Sequence, residues 1–279
     1  MARFSASLRF AAAAIAAWAW LLPVVSPAKA EDQPVDLELV LAVDISLSMD
    51  RVEQQVQRQG YVDAMRHPEV IGAIRSGLHG RIAVTYAEWA GTGTLVVVVP
   101  WTLIDGEAAA QGFSRYLAAS PMRGARRTSI SDAIDQAGAL FGGNGFSGIR
   151  RVIDISGDGP NNQGVPVTAA RGRIVARGIT INGLPVQLDE GRPASLFSIA
   201  DLDVYYEDCV IGGPGAFIVP VRSVEEFAIA VRRKLVLEIA GLPARLIRAQ
   251  FGERPPRADC LIGEKLWREW MDGGGYWRE

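Results

Sequence analysis

Asp44, Ser46 and Ser48 stand at alternating positions in Asp44-Ile45-Ser46-Leu47-Ser48, so an extended turn can aim one carboxylate and two hydroxyls at a single point. Two more oxygen-bearing residues follow far along the chain. Thr128 comes after the basic loop Gly124-Ala125-Arg126-Arg127, and Asp158 lies within Ser156-Gly157-Asp158-Gly159-Pro160-Asn161-Asn162. Hydroxyls with few carboxylates suit a hard dication such as Mg2+, which takes a small number of protein ligands and completes an octahedron with water or substrate oxygen. Mn2+ and Ca2+ accept the same donors. Taken alone, Asp-x-Ser-x-Ser reads equally as a helix N-cap, since Asp and Ser favour that position. The metal reading needs Thr128 and Asp158 at the same place in the fold.

The elements around these residues decide whether they meet. Residues 35–43 alternate and then turn continuously apolar, as a central parallel strand buried on both faces does, and the run stops at Asp44. Residues 50–65 carry a polar helical pattern expected to turn Val52, Val56 and Met65 inward, and Pro68 opens a short helix ending near Gly77. Strands at 81–89 and 94–101 are separated only by Gly91-Thr92-Gly93 and its neighbours, a connection too short for a parallel return. Pro100 suits a sheet edge. Helices are expected at 107–119, 128–141, 166–177, 194–206 and 224–239, the last with Phe227, Val231, Leu235 and Ile239 on one face. Strands are expected at 151–156, 179–184 and 217–221. This alternation means an α/β fold: a doubly wound, mostly parallel sheet with one antiparallel edge strand and helices on both faces. Ligands of such sheets sit beyond the carboxyl ends of the strands, where Asp44 and Asp158 fall.

The chain of 279 residues is 49% hydrophobic and 22% charged, enough for one large domain or a domain with an appendage. Its net charge of −2 provides no attraction to phosphate backbones, so a nucleic-acid partner is not expected. Arg3 and Arg9, an apolar run over 10–25 and the small residues of Ala28-Lys29-Ala30 make residues 1–30 a signal peptide cleaved after Ala30. The run is short of the roughly 20 residues a membrane span needs. The remaining chain, 26 basic against 31 acidic residues, is expected in the periplasm or outside the cell with no stable membrane span. Cys209 and Cys260 would there more often bond than stay free, closing a loop worth roughly 4 kcal/mol, although two free thiols remain the alternative. Residues 241–279 read as an appendage to a domain over 35–240, rich in Arg and carrying Leu266, Trp267 and Trp270 at helical spacing. That patch either packs back on the domain or forms a partner hot spot. The long helix before it should run away from the strand ends, so both cysteines and the tail are expected at the end opposite the metal.

Asp44-x-Ser46-x-Ser48, Thr128 opening Thr-Ser-Ile-Ser-Asp-Ala-Ile, and Asp158-Gly159 resemble the von Willebrand factor A family and its metal-ion-dependent adhesion site. The stretches RIAVTYAEWAG, VIDISGDGPNN and CVIGGPGAF are similar to a bacterial exported subgroup of unknown function, DUF1194. The resemblance implies that Ser46, Ser48 and Thr128 bind the metal, while Asp44 and Asp158 bind it directly or orient its waters. It also implies that an acidic side chain of a protein partner fills the open coordination position. Two departures stand out: Gly157 intervenes before Asp158, and the threonine loop is poorer in glycine and carries two arginines. The expected function is therefore a non-enzymatic exported module that grips a protein through Mg2+. A metal-dependent phosphoester hydrolase at the same site, or a structural envelope protein with a vestigial site, are the alternatives.

Other motifs lose their chemistry in context. Gly143-x-Gly145-x-x-Gly148 follows a helix and precedes a strand, the reverse of a dinucleotide fingerprint. His67 and His79 have no metal-spaced partner and read as surface or turn residues, and Ser26-x-x-Lys29 lies in the signal peptide. Asp154, in mid-strand, reads as a structural carboxylate.

Overall fold

β1 (Gln33–Asp44), the apolar run expected at 35–43, forms the middle of a five-stranded sheet in the computed structural model, which describes residues 31–188, 197–241 and 257–273. β2 (Ile82–Trp89) and β4 (Phe146–Gly157) flank it in parallel, and β5 (Thr180–Pro185) continues in parallel beyond β4. β3 (Val96–Ile104) pairs antiparallel with β2, giving the order β3-β2-β1-β4-β5. Pro100 lies on this edge strand where the register with β2 shifts, the kind of place that tolerates a missing N–H.

Helices cover both faces. α1 (Arg51–Met65), α2 (Pro68–Arg75), α3 (Glu107–Ala119) and α7 (Phe227–Ala240) enclose a core of Leu37, Leu39, Leu41, Tyr61, Phe113 and Phe227. On the other face, α4 (Ile130–Ala139), α5 (Val167–Ala176) and α6 (Leu202–Tyr205) pack over Val40, Ala42, Ile153 and Ile155. A short helix, α8 (Ile262–Asp272), completes the described chain. Among the described residues no helix is long and apolar enough to cross a membrane. The expected signal peptide at 1–30 and the start of the helix expected at 194–206 lie outside them.

Four expectations need correcting. Val52 is 63% exposed; α1 turns Gln54, Gln57, Arg58 and Tyr61 inward instead, because its buried side faces polar loops and a buried Glu88 as well as the core. The 194–206 region holds only the single turn α6, followed by a π-helical turn at Tyr206–Val210. That wider turn buries Tyr206, Cys209 and Val210 together, next to the buried Tyr205 that ends α6, more of its circumference than an α-helical stripe would. Residues 217–221 run beside β5 in isolated bridges, Gly183 to Ile218 and Val186 to Val221, rather than as a strand. Pro185 has no N–H to give where a continuous ladder would need one. Finally, β4 starts at Phe146, so Gly148 belongs to a strand, and only Gly143 and Gly145 adopt the positive φ of a turn.

Asp154, expected to be a structural carboxylate, enters a buried ion pair. Lys234 of α7 reaches its Oδ1 at 2.6 Å and also pairs with Glu238, all three fully buried. Burial, with the Asp154 charge next, pushes the Glu238 carboxyl up to about 7. His67 caps α2, accepting from the Glu69 N–H at 3.3 Å.

Candidate functional site

Asp44 ends β1 and is completely buried; its Oδ1 accepts from the Ser46 N–H at 2.7 Å, which bends the chain back over the strand end. The loop is then held from three sides. Ile45 N–H donates to the Trp89 carbonyl at the end of β2, and Leu47 N–H donates to the Ala125 carbonyl of the threonine loop. From below, Gln54 Nε2 reaches the carbonyls of Ile45, Ser46 and Met49 at 3.3–3.4 Å. The Ser46 and Ser48 hydroxyls consequently lie 2.9 Å apart. Ser48 Oγ donates in turn to Asp158 Oδ1 at 2.8 Å, joining the loop after β1 to the loop after β4.

Thr128 arrives by a different route. Its carbonyl accepts from the Asn162 N–H at 2.9 Å, its own N–H donates to Asn162 Oδ1 at 3.1 Å, and Ser131 N–H donates to Asn161 Oδ1 at 3.0 Å. The two asparagines thus clip the start of α4 to the loop that carries Asp158. Thr128, Ser46, Ser48 and Asp158 line one cleft of about 710 Å³. All five sequence-predicted residues gather at the carboxyl end of the sheet, with Asp44 and Ser46 at the buried base and Ser48 exposed.

Both carboxylates at this base are held above their ordinary range. Burial holds the Asp44 carboxyl well above its ordinary range, and the Asp158 charge adds to the effect. Burial also pushes Asp158 up to about 6, against the opposing bond from Ser48. Asp44 Oδ2 is buried with no hydrogen-bond partner among the described residues, although its Oδ1 is satisfied. An unsatisfied buried carboxylate oxygen is costly unless a cation or water completes it. The donor set is oxygen only: among the described residues no group of three or more His, Cys, Asp or Glu gathers, and the cluster is two carboxylates with three hydroxyl residues. Such a set fits a hard dication better than a thiolate- or imidazole-seeking one.

Gly157, the residue that departs from the family pattern, has a packing reason. A Cβ there would lie 2.8 Å from Tyr206 Oη and 3.0 Å from Asp44 Oδ2, so a larger residue would push into the base of the site. Asp158 still reaches Ser48 despite the extra glycine.

The rim was the part hidden from sequence reasoning. α8 lies at this end of the sheet, not the opposite one, and the tail borders the cleft. Gly263 sits on the Asn161 carbonyl, leaving no room for a Cβ, and Glu264 Oε1 accepts from Asn161 Nδ2 at 2.7 Å. The Arg127 guanidinium carbon lies 3.2 Å above the Trp267 ring, and Arg127 itself holds the left-handed φ of 76° that costs a non-glycine residue about 1 kcal/mol. Trp267, Trp270 and Phe197 form one aromatic wall of the cleft. Cys209 and Cys260 are bonded, which ties α8 to the π-helical turn. The topological expectation failed because Cys209 follows Tyr206, beside Asp44 and Gly157, instead of lying at the far end. Helical spacing had signalled the Trp pair; nothing in the sequence signalled Phe197, Gln54 or the two asparagine clips as parts of the site.

A family model described as "Protein of unknown function (DUF1194)" matches residues 34–243. No curated protein matches the chain. Among solved structures, proximal thread matrix protein 1 from the mussel byssus, in a form with a zinc-occupied MIDAS motif, is similar at a TM-score of 0.51 and 13% identity, over 76% of this chain and 49% of that one. The pilus adhesin SpaC from Lactobacillus rhamnosus GG, open conformation, is similar at 0.52 and 13%, over 75% and 31%. A von Willebrand factor type A protein from Catenulispora acidiphila is similar at 0.50 and 15%, over 74% and 43%. The match spans half or less of each of these proteins, and at such identities the likeness is one of fold: the von Willebrand factor A fold.

Proposed function

The chain belongs to the DUF1194 family, and we propose that it is an exported interaction module of von Willebrand factor A type that binds a divalent cation and, through it, an acidic group of a protein partner. One observation carries this reading: the run Ser46 Oγ, Ser48 Oγ, Asp158 Oδ1 converges beside a buried Asp44 oxygen that has no hydrogen-bond partner among the described residues. Ser46, Ser48 and Thr128 would hold the ion, with Asp44 and Asp158 neutralising it or orienting its waters. When bound, the ion supplies one open coordination position for a carboxylate. The protein's own part is to keep two mutually repelling carboxylates together and to restrict access to one side of the cleft. Mg2+ is the first candidate, with Mn2+ or Ca2+ able to use the same oxygens. Zinc occupies the motif of the mussel protein, but the all-oxygen donor set here favours a harder ion. The pilus adhesin SpaC shares this fold, which supports binding rather than turnover. The Cys209–Cys260 bond supports an oxidising compartment, the periplasm or beyond.

Calorimetric titration of the protein lacking residues 1–30 with Mg2+ and Mn2+ tests the metal, and Ser46→Ala should abolish the heat. Capture from an envelope extract with and without EDTA, using Asp44→Ala as control, tests the partner. Absence of cation binding, or capture that is indifferent to EDTA, defeats the proposal.

A further inference from the structure

The cleft over the Ser46, Ser48 and Asp158 oxygens has walls that cation binding does not require. On one side, the Trp267 and Trp270 rings lie 4.9 Å apart, and Phe197 meets them at 5.5 and 6.1 Å. Facing the solvent between the two serines is Leu47, 60% exposed, which also lines the cleft. The lining is also basic: Arg126 is exposed, and the Arg127 guanidinium lies on Trp267 of the aromatic wall. A space of about 710 Å³ is the size that encloses a small ligand or a short stretch of chain, roughly 300–1,000 Å³, and a flat protein face cannot enter it.

We infer that this cleft is a sequence-selective site for an extended acidic peptide segment, in which an Asp or Glu is adjacent to an aromatic residue. The carboxylate descends to the hydroxyl floor, and the aromatic side chain lodges between Leu47 and the Trp267–Trp270 pair. The inference rests on the metal reading above and adds the neighbour that the acidic residue must have. Charge favours it twice: the cation at the floor and the two arginines at the rim both attract the carboxylate. Half-buried tryptophans at the mouth of a cleft gain most from a ring that displaces their water, since aromatic pairs prefer the offset and edge-on contacts this wall offers. An acidic residue flanked only by small residues would leave the wall wet.

The test titrates the chain, at saturating Mg2+, with the blocked tetrapeptides Gly-Asp-Phe-Gly, Gly-Phe-Asp-Gly, Gly-Asp-Gly-Gly and Gly-Asn-Phe-Gly. At least one of the first two should bind tenfold or more tightly than Gly-Asp-Gly-Gly, and the Asn peptide should not bind. Trp270→Ala and Leu47→Ser, both in the cleft lining, should each cut the preference below twofold while leaving the Mg2+ affinity unchanged. Leu47 is exposed enough that its replacement leaves the fold intact, so a failure of the Trp270 variant to fold does not spoil the test. Mg2+ binding without a preference, or a preference that survives both substitutions, overturns this inference alone. Absence of Mg2+ binding overturns the metal reading and this inference with it.

Discussion

The Ser48 hydroxyl donates to Asp158 Oδ1 at 2.8 Å across 110 residues of chain. That bond joins the loops after β1 and β4, the two central parallel strands, and sets both carboxylates of the site facing each other over a pair of hydroxyls. A site built this way concentrates negative charge that a bound cation would offset, and its substitutions should separate binding from stability.

Asp158→Asn keeps an acceptor for Ser48 but removes the charge that raises Asp44. The expected outcome is a loss of Mg2+ affinity of tenfold or more together with a metal-free protein more stable by about 1 kcal/mol. Calorimetry and thermal melts in EDTA read the two effects; a destabilised metal-free variant would contradict the electrostatic account.

Gly157→Ala should cost about 1–3 kcal/mol, because its Cβ meets Tyr206 Oη and Asp44 Oδ2. Tyr206→Phe removes a buried hydroxyl that has no hydrogen-bond partner among the described residues, so it should cost little alone and restore part of the loss in the double variant. Urea midpoints of the four proteins form the cycle, and strict additivity would show that the two sites do not touch.

Reducing the Cys209–Cys260 bond, or replacing both residues by Ser, should loosen α8 before the sheet. The bond closes a loop of 51 residues, and α8 otherwise holds on through the Glu264 bond to Asn161 and the Trp267 stack on Arg127. Hydrogen exchange over α8 should rise by tenfold or more while β1 stays protected. Equal loss of protection in both would mean the tether supports the whole domain.

Glu238, held up to about 7 against an ordinary 4.5, binds a proton in the folded protein that the unfolded chain has already released between those values. Its contribution to stability is therefore complete below pH about 4.5 and is lost as the pH rises through about 7. Denaturant midpoints should fall over that interval, and Glu238→Gln should flatten the fall. Lys234→Met, which strips Asp154 and Glu238 of their shared cation, should cost about 3–5 kcal/mol. A wild-type profile that rises from pH 4.5 to 7 would refute the assignment.

Much of this was legible in particular residues. The apolar run before Asp44 can only be a strand covered on both faces, and β1 is that strand. The short turn after Trp89 admits only an antiparallel neighbour, and β3 is one. Val52 misled because periodicity counts apolar residues, whereas α1 buries Gln54 and Gln57 against loop carbonyls and Ser156. Residues 217–221 misled because their composition suits a strand, while the obstacle, Pro185, sits on the neighbour.

What the sequence determined by itself was the floor of the site: oxygen donors placed directly after apolar strands must appear at one edge of a parallel sheet, since strand direction alone puts them there. What only the tertiary structure decided was the rim. Whether the tail returned to that edge or to the other depended on the long-range packing of Gly263 on Asn161 and of Trp267 under Arg127, and neither contact has a trace in local periodicity. The oxygen cluster was written in short spacings; the aromatic wall that gives it a shape came from surfaces meeting across some 140 residues of chain.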